Sequence, residues 1–231
     1  LDSLRVADPD IYLISGPMDF SFLSKLRGEA RLKAYPDYYY PPYEPQPVSH
    51  LEANRAALEE RGITEPGIFD LIKERDIFMH VPYEEFRPVT EFVKQAARDP
   101  DVLAIKQTLY RVSGQSPIIH YLEEAARNGK QVMVLVELKA RFDEENNIHW
   151  ARRLEQAGCH VIYGLVGLKT HSKITLVVRQ EGDGIRRYVH LGTGNYNDAT
   201  AKVYTDMSIF VNQESFGREA TEFFNMIIGI S

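Results

Sequence analysis

Apolar and polar positions along this chain follow two rhythms, which alternate from about residue 66 onward. In "GIFDLIKERD" (67–76), Ile68, Leu71 and Ile72 fall on one helical face. "FRPVTEFVKQAARD" (86–99), "PIIHYLEEAARNG" (117–129) and "DEENNIHWARRLEQAG" (143–158) have the same amphipathic form. Gly129 and Gly158 close two of these helices, and acidic residues open the last. Between them lie strand-like runs: "IFMHVPY" (77–83), "VLAIKQTLYRV" (102–112), "QVMVLVELKAR" (131–141) and "HVIYG" (160–164). The 131–141 run is almost continuously apolar at first, as a strand buried on both faces should be. Strands alternating with helices of this length imply βαβ crossovers and a largely parallel sheet. The rhythm then changes. "HSKITLVVRQ" (171–180), "DGIRRYVHLG" (183–192) and "TDMSIFV" (205–211) follow one another as strands, with "GDG" (182–184) as a hairpin signal. "SFGREATEFFNMII" (215–228) reads as a closing helix with Ser215 as its N-cap. The expected fold class is α/β, a mixed, mostly parallel sheet flanked by helices.

The first 60 residues follow neither rhythm. "DIYLISGP" (10–17) reads as a short strand ended by Gly-Pro, and "MDFSFLSKLRG" as a short helix stopped by Gly28. Five prolines between 36 and 47 forbid a regular helix or central strand. The expected organisation is 1–60 as the tail of a preceding domain with a Tyr/Pro-rich linker, and 61–231 as the main domain. The chain begins at Leu1 without Met, as an excised segment would.

Composition narrows the function classes. A net charge of −6 argues against wholesale binding of nucleic acid or anionic membrane, while allowing a local basic pocket. The single cysteine, Cys159, cannot form an internal disulfide, which fits a reducing compartment. No run of about 18 apolar residues is present to span a membrane.

The candidate chemistry collects at strand ends. Arg111 and Arg141 end the 102–112 and 131–141 runs. Parallel strands place their C-terminal ends along one ligand-binding edge. If the two strands are neighbours, two guanidiniums suited to phosphate converge there; otherwise they are strand-end arginines in surface ion pairs. His171, Lys173 and Thr175 share one face of the next strand, with Ile174, Leu176 and Val178 on the other. An imidazole can attack phosphorus and an ammonium can neutralise phosphoryl oxygens. Taken alone, the pair fits an amphipathic strand with a solvated face. "HLGTGNYN" (190–197) changes that balance: Gly-Thr-Gly-Asn makes a turn where backbone N–H groups and the Asn195 carboxamide can approach an oxyanion. Asn195 follows His171 by 24 residues, about a hairpin's distance. Tyr204 can stack on a base or simply pack. His80, His120, His149, His160 and His190 read as structural. No Walker A motif, G-x-G-x-x-G or all-protein metal spacing is present.

H-x-K followed by G-T-G-N resembles half of a phospholipase D-type active site, a superfamily that pairs two such halves. That superfamily's motif has Asp five residues after the Lys, where this chain has Val178. The set "AIKQTLYRV", "VELKARFDEENNIHWARRLEQAG", "GLKTHSKI", "HLGTGNYN" and "YTDMSIF" is similar to bacterial polyphosphate kinase of the long-chain synthesising type. The resemblance implies reversible transfer of the ATP γ-phosphate to polyphosphate through a phosphohistidine. His171 matches the phosphorylated histidine, Tyr204 an ATP-contacting tyrosine, and Arg111 and Arg141 a magnesium–phosphate site. A cation cannot ligate Mg2+ directly, so these arginines are read as clamps on metal-bearing phosphates. Lys173 and Asn195 are added from the superfamily's geometry. The resemblance also implies ATP/ADP and polyphosphate as partners, further domains of the same enzyme supplying a second histidine, a homo-oligomer, no nucleic acid, and a cytoplasmic place with peripheral membrane association allowed. Activity of this segment alone is expected to be slight. The competing expectations are a phospholipase D-like phosphodiesterase or nuclease, and a non-catalytic polyanion-binding module.

Overall fold

The computed structural model describes residues 7–26, 35–38, 40–41, 43–110, 116–137, 144–164, 167 and 169–229. The chain divides into two compact units, Leu1–Tyr43 and Glu44–Ser231.

In the first unit, α1 (Phe22–Leu26) is the expected short helix. The Asp19 carboxylate accepts hydrogen bonds from the Ser21 N–H (2.8 Å) and hydroxyl (3.0 Å) just before it. The strand expected over 10–17 does not form, and Leu13 is 98% exposed. An isolated strand leaves its backbone groups without a ladder, and no described segment pairs with this one.

The second unit is a seven-stranded sheet with helices on both faces. In chain order its elements are α2 (Ser49–Glu60), α3 (Ile68–Glu74), β1 (Ile77–Val81), α4 (Arg87–Arg98), β2 (Val102–Leu109), α5 (Pro117–Arg127) and β3 (Gln131–Val136). There follow α6 (Glu144–Gln156), β4 (His160–Tyr163), β5 (Lys173–Glu181), β6 (Gly184–Gly192), β7 (Asp206–Val211) and α7 (Glu214–Ile227). Each helix and strand expected after residue 66 is present. Two details differ. The last helix begins at Glu214 with Gln213, not Ser215, at its N-cap. Helix α2, within the expected 1–60 tail, sends Leu51 and Leu58 into the core.

The strand order is β1-β7-β6-β5-β2-β3-β4. Strands β1, β2, β3, β4 and β6 run one way, and β5 and β7 the other. Most strands thus share a direction, as the α/β reading expects. Neighbours are nevertheless mostly antiparallel: only β2–β3 and β3–β4 pair in parallel. The cause is the insertion of β5 between β2 and β6 and of β7 between β6 and β1.

One face carries the larger core. Phe92 and Ala96 of α4, Ile118 and Leu122 of α5, and Trp150 and Leu154 of α6 meet Ile105, Val134, Val177 and Tyr188 of the sheet. On the other face, Ala220, Phe224 and Ile227 of α7 cover Ile174, Leu176, Val189 and Val211. Strand β5 is therefore buried on both sides.

Candidate active site

The registers bring strand ends together along one edge of the sheet. Gln107 of β2 lies opposite Thr175 of β5. Lys173 pairs with Gly192 of β6, and Gly192 with Ser208 of β7. The C-terminal ends of β2, β3, β4 and β6 therefore meet the N-terminal ends of β5 and β7. Strands β2 and β3 are parallel neighbours, so the chains leading to Arg111 and Arg141 start side by side. Arg111 and Arg141 themselves lie outside the described residues.

His171 is exposed, two residues before β5 begins. Its Nδ1 lies 2.9 Å from Lys173 Nζ, which also donates to the His171 carbonyl at 2.5 Å. The Tyr110 ring meets the imidazole edge-on, with centroids 4.9 Å apart, and Lys173 Nζ lies 5.4 Å from the same ring. Lys173 is only 5% exposed. Burial lowers its pKa, and the Asp206 carboxylate works against that shift. Thr175 is fully buried. The solvated-face reading of this strand therefore falls: Lys173 and Thr175 on its polar face are buried.

Buried polar side chains fix the backbone around this pair. Thr108 Oγ1 donates to the Ser172 carbonyl (2.8 Å) and accepts from the Ile174 N–H (3.1 Å). The Asn147 carboxamide donates to the carbonyls of Tyr110 (2.8 Å) and Glu137 (3.0 Å), tying the ends of β2 and β3. Glu137, itself buried, accepts from the Thr170 N–H at 2.9 Å.

The "GTGN" loop leaves β6 opposite Lys173. Neither Gly192 nor Gly194 has a positive φ, so it is close approach that demands glycine. A Cβ on Gly194 would lie 2.6 Å from Asp206 Oδ2. Thr193 Oγ1 donates to Asp206 Oδ1 at 2.8 Å. Asp206 is thus part of the site, and sequence reading missed it. It is one more residue of the "YTD" triplet, and a lone carboxylate entering a strand carries no local signature. Asn195 is half-buried, and its Oδ1 is buried with no hydrogen-bond partner among the described residues. Among the described residues Tyr204 is 61% exposed, two residues before β7, with its backbone N–H held by the Thr200 carbonyl at 2.9 Å.

His190, one strand inward, is 3% exposed, and its Nδ1 lies 2.9 Å from the Tyr196 hydroxyl. Burial pushes this imidazole down to about 3, so it is neutral. Among the described residues no three His, Cys, Asp or Glu side chains group to hold a metal. No helix of the described residues is long and apolar enough to cross a membrane. Val178 packs against the α7 core.

A mixed sheet whose H-x-K strand and G-T-G-N loop meet at one edge defines a phospholipase D-like α/β domain. The solved structure of a phospholipase D family member, Nuc from Salmonella typhimurium, superposes with a TM-score of 0.52 at 13% identity, over 67% of this chain and 94% of that one. The chain belongs to the polyphosphate kinase family: residues 67–231 match the model of polyphosphate kinase C-terminal domain 1. It is 57% identical to a polyphosphate kinase of Halalkalibacterium halodurans, over 100% of this chain and 31% of the relative. The crystal structure of polyphosphate kinase from Porphyromonas gingivalis shares 33% identity and a TM-score of 0.74, over 98% of this chain and 36% of that one. The chain spans about a third of the length of such relatives.

Proposed function

We propose that this chain carries the phosphoryl-accepting histidine of an ATP:polyphosphate phosphotransferase. The carrying observation is the exposed His171 imidazole held through Nδ1 by a buried lysine at the sheet edge. Because Lys173 engages Nδ1, the reaction is assigned to Nε2. In the resting arrangement the ammonium donates to Nδ1, which keeps the hydrogen on Nε2. An arriving γ-phosphate offers the ammonium a stronger, charged acceptor, and the ring proton can then sit on Nδ1. Nε2 forms its bond to phosphorus as the bond from phosphorus to the ADP oxygen breaks. A terminal oxygen of the polyphosphate chain then takes the phosphoryl group and returns the imidazole to its neutral form. Lys173 neutralises the equatorial oxygens and the Asn195 carboxamide donates a hydrogen bond to them. The exposed Tyr204 ring is suited to stack on the nucleotide base, and Arg111 and Arg141 are proposed to clamp phosphates.

Magnesium fits this edge only as an ion carried by substrate phosphates. It keeps several waters and takes one or two carboxylates, and the described carboxylates here, Glu137 and Asp206, already accept hydrogen bonds. When bound, it would neutralise β- and γ-phosphate oxygens. Substrates are then ATP/ADP and polyphosphate; the remaining domains of the enzyme, a homo-oligomer and a cytoplasmic setting belong to the same proposal.

The test is mass spectrometry of acid-labile phosphate on a full-length enzyme carrying this sequence, incubated with ATP and Mg2+. The expected result is phosphate on His171, with His171→Ala losing both the label and polyphosphate synthesis. Synthesis proceeding with no phosphate on His171 would reject the mechanism.

A further inference from the structure

The mechanism uses one imidazole of this edge and leaves another, better buried, without a task. His190 sits in register between Thr175 of β5 and Phe210 of β7, with its ring 4.6 Å from that of Phe210. On one side its Nδ1 meets the Tyr196 hydroxyl. On the other its Nε2 is buried with no hydrogen-bond partner among the described residues, and so is Asn195 Oδ1. A buried polar atom without a partner costs roughly 1–3 kcal/mol, so two such atoms in one place call for a common explanation. Both residues line one narrow cavity, with Gly192, Gly194 and Asp206, whose volume is about 20 Å³. That is room for a single water, which needs polar partners to stay. The phenol of Tyr196 can donate to the Nδ1 lone pair, which places the imidazole hydrogen on Nε2. An Nε2–H, a water and a carbonyl oxygen then form a chain in which the ring N–H and one water O–H each meet an acceptor.

The consequence falls on Asn195. A carboxamide can turn over, exchanging its oxygen and its NH2. Only the NH2 can donate to a phosphoryl oxygen, and an outward carbonyl would repel it. We propose that His190 is a positioning residue: through one water it holds the Asn195 oxygen inward, so that the NH2 faces the phosphate-binding edge. Tyr196, next to Asn195 in the chain, fixes the tautomer that makes this possible. The proposal rests on the reading above that Asn195 contacts the transferred phosphate.

The experiment measures kcat and KM for ATP in a full-length enzyme carrying this sequence. Asn195→Ala is expected to lower kcat on the order of 100-fold, as loss of an oxyanion donor does. His190→Leu should lower kcat about tenfold with KM for ATP changed by less than about twofold. His190→Gln, which keeps an N–H donor, should recover most of that loss. On the Asn195→Ala background, His190→Leu should cost nothing further, because neighbours in one network are not additive. A His190→Leu effect that multiplies undiminished on that background, or that His190→Gln does not relieve, overturns the proposal in favour of packing alone. If His190→Leu does not fold, Tyr196→Phe carries the same test with one oxygen removed: about a threefold loss of kcat, absent on the Asn195→Ala background. If Asn195→Ala leaves kcat unchanged, this inference falls, while phosphate on His171 reports separately on the phosphohistidine reading.

Discussion

An ammonium taken out of water costs several kcal/mol unless acceptors replace the lost hydration. Lys173, 5% exposed, has the ring nitrogen and the carbonyl of His171 for that purpose, and the Asp206 carboxylate acts on it from across the edge. Its pKa is still held below the ordinary lysine value by burial, so the resting arrangement under-serves the charge. A phosphate arriving at the edge completes what the protein leaves short. Lys173→Met keeps the apolar stem and removes the charge. In the full-length enzyme it should cut kcat by about 10²–10³-fold. It should leave the melting temperature unchanged or raised, since an apolar group replaces a poorly paired buried charge. A large fall in melting temperature with kcat intact would make Lys173 a structural residue. The His171–Lys173 spacing was legible in the sequence, but the burial of that face was not. It depends on strands and loops far along the chain, which local alternation cannot report. Asp206 was illegible for the same reason: only the β6–β7 register brings it to Gly194.

Strands β5 and β6 form a hairpin whose two ends have different work. One end carries Lys173 and the "GTGN" loop. The other turns through Gly182 and Asp183 and is held by ion pairs around Glu181. Glu181 accepts from Arg179 (3.1 Å), Lys73 (3.2 Å) and the Tyr188 hydroxyl. Burial pushes the Glu181 carboxyl up, but hydrogen bonds from Tyr188, Lys73 and Arg179 outweigh it and the net shift is downward. A carboxyl lowered in the fold adds stability above its unfolded pKa and loses it as pH falls through the folded one. Glu181→Gln should therefore cost roughly 1–2 kcal/mol at pH 7, a value below the fully buried case because the pair is partly hydrated. The gap to the parent should close below about pH 4. Urea unfolding at pH 7 and pH 3.5 measures both, and a gap that stays constant would refute the linkage. The existence and type of these elements were plain from periodicity, and "GDG" (182–184) marked the turn between them. Their pairing was not, because no local pattern records that β5 enters between β2 and β6. The expected strand at 10–17 failed for the complementary reason: an apolar run is a strand only where an edge receives it.

At the scale of the molecule, the motif blocks pointed to the family because they are several, in a fixed order, and spaced along most of the chain. The folded unit brings Lys173, the "GTGN" loop and the start of β7 to one edge. This chain spans about a third of the relatives it matches. The isolated chain, incubated with radiolabelled ATP and Mg2+, is expected to make less than about a hundredth of the polyphosphate of the full-length enzyme, a loss on the scale of removing one transition-state contact. Robust synthesis abolished by His171→Ala would show that one half suffices. Helix α2 bears on how such pieces should be cut. Val48, Leu51 and Leu58 sit in the same core as Ile68, Leu71 and Ile72. A recombinant catalytic segment begun at residue 61 or 67 would bare that apolar face to solvent and invite aggregation. One begun at Glu44 would keep the face covered.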